Sequence, residues 1–229
     1  MVQQFLAFLL ILGGTSLGTI AAVKAADNGA PMPPAATTEP TPAPDSCYEG
    51  SGLEALNACD RALTLAPNDA SLWTIRGAIL HEQLKRTAEA LESHDRAIAL
   101  APAYTLALYN RCVVLIALER YPEAVESCDR ALKGDGRWGQ ASPARALMNQ
   151  GVALRRLRRY QEALAAYDLA LESQPDYALA WNNRGVVLLD LGRNAEAETA
   201  FSRALELDPN NSLARRNLDI VRQRQQATP

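Results

Sequence analysis

From Ser51 onward, apolar residues recur with a period near 3.6, which predicts amphipathic helices rather than strands. The helical stretch is punctuated by one returning phrase. It reads Asp60-Arg61-Ala62-Leu63 before Pro67, then Asp95-Arg96-Ala97-Ile98 before Pro102. It returns as Asp129-Arg130-Ala131-Leu132, as Asp168-Leu169-Ala170-Leu171 before Pro175, and as Ser202-Arg203-Ala204-Leu205 before Pro209. The intervals are 35, 34, 39 and 34 residues. Self-similarity at that period predicts helical hairpins stacked in a row, not one closed core.

Aligning the chain on its prolines gives a 34-residue frame in which small and large residues recur together. The unit 178–211 places Trp181 at position 4, Gly185 at 8, Leu188 at 11, Ala197 at 20, Phe201 at 24, Ala204 at 27 and Pro209 at 32. Unit 144–177 has Leu147, Gly151, Leu154, Ala163, Tyr167, Ala170 and Pro175 at the same places. Unit 105–138 has Leu108, Cys112, Leu115, Ala124, Cys128 and Ala131, with Gly136 in place of the proline. Unit 70–104 has Trp73, Gly77, Leu80, Ala90, His94, Ala97 and Pro102, with one extra residue near the hairpin turn. Small residues at 8 and 20 let helices A and B of one hairpin approach closely. The small residue at 27 admits the next helix A, and the large residues fill the remaining volume. Proline at 32 ends helix B because it lacks the N–H and restricts the residue before it.

This set of positions closely resembles the tetratricopeptide repeat, over about Ser51 to Asn211 plus a trailing helix. The resemblance implies an all-α, right-handed α-solenoid of stacked helix-turn-helix repeats. A half repeat at 51–69, a lone helix B carrying Ala55, Cys59 and Ala62, opens an array spanning 46–226. A capping helix at 212–226 closes it, with Ser212 expected to cap its start. The ten residues from Gly134 to Pro143 stretch one interval and are expected to form a loop between units.

The N-terminus has an export pattern. Residues 5–12 form an apolar run, small residues follow, and Val23-Lys24-Ala25 offers a cleavage site before Ala26. The expectation is a signal peptide at 1–25 and a secreted, periplasmic protein. The alternative is a membrane anchor over residues 5–23, a length that could span a bilayer. A tether at 26–45 follows, with six prolines between Asp27 and Asp45, a composition that cannot offset its ordering entropy.

Composition changes the picture little. The chain has 229 residues, 48% hydrophobic and 21% charged, with a net charge of −3 that gives no reason to expect nucleic acid. Only two histidines are present, and His94 sits at a buried filler position. No nucleophile–base arrangement or phosphate-cradling glycine loop stands out, so an enzyme acting on a small-molecule substrate is not expected. Cys59, His94 and Cys128 share position 24, but helices B stand roughly 9–10 Å apart. Zinc needs ligands within about 2.3 Å of one centre, so no metal and no cofactor is expected. The four cysteines suggest two local disulfides, Cys47–Cys59 and Cys112–Cys128, with buried free thiols as the alternative.

In the family the resemblance points to, helices A line a concave face that holds extended peptides or helices. Positions 2, 5, 6, 9, 12 and 13 of helix A face it. Asparagine recurs at position 6 as Asn110, Asn149 and Asn183, with Asn217 in the capping helix. Its amide both donates and accepts, so it suits a peptide backbone of any sequence. Tyr109, Arg145, Arg156, Asn182 and Arg216 complete the expected peptide-binding set. Basic residues outnumber acidic ones in this set, which suits an acidic segment or a free C-terminus. The lysine and asparagine clamp of chaperone-tail receptors is absent: position 9 carries Ala78, Val113, Val152 and Val186. The arginines at position 7, Arg76, Arg111 and Arg184, are read as structural. The resulting expectation is an exported adaptor or assembly scaffold. The alternative is a structural protein that self-associates through the ends of its array.

Overall fold

The computed structural model describes residues 51–226. The expected signal peptide, tether and Cys47 lie outside the described residues. Ten α-helices follow one another, and no strand occurs among the described residues. They are α1 (Gly52–Leu65), α2 (Ala70–Ala78), α3 (Thr87–Leu100), α4 (Thr105–Ala117) and α5 (Tyr121–Leu132). Then come α6 (Pro143–Arg156), α7 (Tyr160–Ser173), α8 (Ala178–Asp190), α9 (Asn194–Leu207) and α10 (Ser212–Gln226). The even-numbered helices are the A helices and the odd-numbered ones the B helices. Each helix packs on the one before and the one after it, so the core is a continuous seam along the stack.

The seam is built on the small residues. Ala55, Ala90, Ala124, Ala163 and Ala197 at position 20 are all fully buried, as are Ala97, Ala170 and Ala204 at position 27. Glycine at position 8 lies under the ring at position 24 in three hairpins. A Cβ added to Gly77 would stand 2.4 Å from His94, one on Gly151 2.5 Å from Tyr167, and one on Gly185 2.6 Å from Phe201. In the remaining hairpin Cys112 and Cys128 take these two positions and are joined in a disulfide, with Cα atoms 5.4 Å apart. Cys59 is also disulfide-bonded.

Helix boundaries follow local chemistry. The Asp69 carboxylate accepts from Ser71 N and Leu72 N at the start of α2, and Ser142 Oγ accepts from Arg145 N at the start of α6. Asn211 rather than Ser212 caps α10: its Oδ1 accepts from Ala214 N at 3.0 Å, which makes Ser212 the first helical residue. Before Pro67, Pro102, Pro175 and Pro209 the preceding residue leaves the helical region, with φ between −130° and −140°. The extra residue of the first full unit does not lengthen the turn. A π-helical segment, Ile79–Gln83, absorbs it at the end of α2, with Leu84 N donating to Ile79 O.

Position 7 ties each A helix to the preceding B helix. Arg76 pairs with Asp60 at 2.7 Å, Arg111 with Asp95 at 2.5 Å and Arg184 with Asp168 at 2.6 Å. Gln150 bonds Asp129 at the fourth junction. The indole N–H groups of Trp73 and Trp181 donate to the carbonyls of Pro67 and Pro175, each at 2.9 Å. In the capping helix Arg215 does the same at Pro209, in the place of the tryptophan.

Candidate functional site

Successive A helices touch one another more closely than successive B helices do, so the A layer is the inner, concave one. The expected binding residues lie on this layer, and the structure divides them into two groups. Asn149, Asn182 and Asn183 are not open amides: their exposures are 4%, 2% and 4%. Asn149 Nδ2 donates to Tyr109 Oη at 3.4 Å, from α6 to α4. Asn183 Nδ2 reaches Met148 Sδ at 3.5 Å, from α8 to α6. Asn217 Nδ2 donates to Asn182 Oδ1 at 3.1 Å, from α10 to α8. The asparagine row thus bridges neighbouring A helices. The cause is the close approach of those helices, which brings position 6 of one unit against position 5 of the previous one. Tyr109 is buried with them, and that burial pushes its phenol pKa up.

The second group is open. Arg145, Arg156 and Arg216 are exposed, and Asn110 and Asn217 are half-buried. Between them Leu106, Val113, Val152, Leu179, Val186 and Leu189 form a half-buried apolar floor on α4, α6 and α8. Arg155 of α6 pairs with Asp190 of α8 at 2.7 Å, which closes one side of the floor. The Arg156 guanidinium lies 5.8 Å from the Tyr121 ring centre. In the π segment, burial raises the Glu82 carboxyl pKa, and the charges of Lys85 and then of Arg145 oppose that rise.

Two residues at this face escaped the sequence reading. Trp138, in the loop between α5 and α6, packs edge-on to Tyr109 with ring centres 6.4 Å apart. Tyr177, just before α8, interacts with Arg145, and burial pushes its phenol pKa up. A signal for Tyr177 existed: tyrosine also precedes α4, as Tyr104, at the equivalent position.

Outside the groove, His94 is wholly buried and neither ring nitrogen has a hydrogen-bond partner. Burial lowers its pKa to about 3, so it stays neutral above that pH and serves as a filler. Among the described residues no group of three His, Cys, Asp or Glu side chains is placed to hold a metal ion. Two shallow clefts open on the B-helix side, one around Trp73, Asp60 and Arg96, the other around Trp181, Glu198 and Arg203.

A family model described as tetratricopeptide repeat matches residues 78–141, 113–178 and 148–212. A peroxisomal targeting signal receptor of Kluyveromyces lactis is 37% identical over 71 residues; the match takes in 31% of this chain and only 12% of the receptor. The crystal structure of MamA superposes with a TM-score of 0.64 at 19% identity, covering 73% of this chain and 95% of MamA. YrrB, described as a TPR protein with an unusual peptide-binding site, superposes with a TM-score of 0.61 at 22% identity, covering 75% of this chain and 85% of YrrB. At these identities the structural likenesses establish the shared fold alone.

Proposed function

The chain belongs to the tetratricopeptide repeat family, and from that premise we propose that it is an exported adaptor or assembly scaffold, without catalytic activity, that holds an extended segment of a partner protein in its concave groove. The observation that carries the reading is the apolar floor of Val113, Val152, Val186 and their neighbours. It stays partly open to solvent along three A helices, although most other apolar side chains of those helices are buried. An open apolar strip rimmed by polar groups marks a docking surface. The unusual peptide-binding site of YrrB and the receptor role of the Kluyveromyces lactis relative support this reading. The buried asparagines then act as the rigid frame of the groove, and the open side chains make the contacts. The apolar run at 5–12 and the Val23-Lys24-Ala25 site support export to the periplasm, with anchoring through residues 5–23 as the alternative.

A display library of random linear peptides, selected on the protein, tests this. A photo-crosslinker at Val152, on the floor, should capture the selected peptides, and one at Glu126, on an exposed B-helix surface, should not. Absence of any binder, or capture only at Glu126, overturns the proposal. Self-association remains the competing reading because α1 leaves Leu53 61% and Leu65 76% exposed at one end of the array. A concentration-independent monomer by light scattering eliminates it.

A further inference from the structure

The repeat template does not account for the loop between α5 and α6, and this loop lies on the groove. It is pinned back onto the start of α4. Asp135 N donates to Ala103 O at 2.8 Å, Asp135 Oδ1 accepts from Thr105 N at 3.2 Å, and Gly136 N donates to Thr105 Oγ1 at 3.0 Å. The Arg137 guanidinium covers the Tyr104 ring at 4.7 Å. Gly139, with φ +59°, presses on the Leu106 side chain, where a Cβ would come within 3.1 Å of Cδ2. These contacts set Trp138 against Tyr109 at the edge of the floor.

The same loop positions a cation. Arg145 Nη1 donates to the Gln140 carbonyl at 3.0 Å, and the Tyr177 phenol interacts with the same side chain. Among the described residues no carboxylate lies within 4.0 Å of Arg145, in contrast to Arg155 at the other end of α6. A guanidinium has five N–H donors, so its one hydrogen bond, to the Gln140 carbonyl, leaves it most of its hydrogen-bonding capacity and its charge. Holding the side chain in place in advance removes part of the entropy cost of using it.

We propose that the 134–142 insertion builds a carboxylate-reading subsite on the groove: Arg145 takes a carboxylate of the bound segment, and Trp138 with Tyr109 takes an adjacent apolar or aromatic side chain. The proposal rests on the groove being the binding surface. Charge sets the occupant, since Arg145 offers a cation that has no ion pair among the described residues, beside an apolar wall. The Glu82 charge, which interacts with that of Arg145, disfavours a second acidic group there, so the segment carries one carboxylate at this point rather than an acidic run. The carboxylate comes either from an Asp or Glu side chain or from a free chain end.

Peptides from the display selection, made with free and with amidated C-termini, decide the matter. Binders captured at Val152 should share one acidic group next to an apolar residue. Arg145→Gln should weaken them at least tenfold and abolish the acid preference. Trp138→Ala should relax the preference at the neighbouring position, and both variants should keep the wild-type circular dichroism and melting temperature. Loss on amidation assigns the carboxylate to the chain end; indifference to amidation assigns it to a side chain. Groove binding unaffected by either substitution overturns this subsite and leaves the adaptor reading intact. Failure of any peptide to bind the groove removes both.

Discussion

The ring of Tyr167 lies against the backbone of Gly151, so closely that a Cβ on the glycine would stand 2.5 Å from Tyr167 Cε1. Both residues are buried in the seam between α6 and α7. Gly151→Ala gains helix propensity, up to about 1 kcal/mol, but drives a methyl into a ring that cannot move. Overpacking costs roughly 1–3 kcal/mol, so the variant should lose about 1–2 kcal/mol in urea denaturation. A more stable variant would mean that the seam has slack.

The Tyr167 hydroxyl is buried without a hydrogen-bond partner, and Phe201 fills the equivalent place in the next hairpin. An unpaired buried hydroxyl costs on the order of 1–3 kcal/mol. Tyr167→Phe should therefore raise stability by about 1 kcal/mol. A loss would show that the hydroxyl is satisfied in solution.

His94 makes stability depend on pH. Its folded pKa is near 3 against an ordinary 6.5, so below pH 6.5 the unfolded chain takes up a proton that the native ring refuses. This contribution is complete above 6.5, falls by about 1.4 kcal/mol per pH unit as pH drops, and levels off near pH 3. His94→Phe should flatten that part of the curve when melting temperatures are compared from pH 7 to 4. Equal slopes for the two proteins would refute the assignment.

Cys112 and Cys128 stand where the other hairpins place a glycine and a ring, and two bare thiols would fill that volume poorly. At a sequence separation of 16 residues, the bond should contribute about 3 kcal/mol. We propose the oxidised state for the exported protein, and the unfolded, unreduced chain should then show no free thiol. The double substitution by serine should lower the melting temperature. Cys112→Gly with Cys128→Phe should recover part of that loss by rebuilding the seam as in α8 and α9. Free thiols in freshly purified protein would argue against the pairing.

The Arg111–Asp95 pair joins α4 to α3, but the Asp95 side chain is 51% exposed. Solvent screening limits such a pair to about 0.5–1 kcal/mol. A double-mutant cycle with alanine at both positions should return a coupling in that range that shrinks in high salt. Salt-independent coupling would point to packing by the arginine stem instead.

The stack was legible in the sequence because small and large residues report directly on where helices must approach. Gly151 with Tyr167, Gly185 with Phe201, and Ala163 with Ala170 all lie in the seams that their spacing implied. The arginines at position 7, read as structural, pair with carboxylates of the preceding B helices. The site was less legible. A helical period tells which face Asn149 and Asn183 occupy, but not how near the next A helix comes, and that distance decides whether an amide is open or enclosed. Trp138 was passed over because a loop has no period to read; its position depends on tertiary bonds from Asp135 and Gly136 to Thr105.

The five-residue ring at Ile79–Gln83 has a consequence for how such an array diversifies. One added residue would turn everything after it by about 100° on an ordinary helix. Here the surplus is taken up locally, and α3 still meets α2 with His94 over Gly77. The first full hairpin has thus taken in a residue at the end of its A helix while its neighbours keep their register. New chemistry at the rim can arise this way from a single codon, with the scaffold beneath it unchanged.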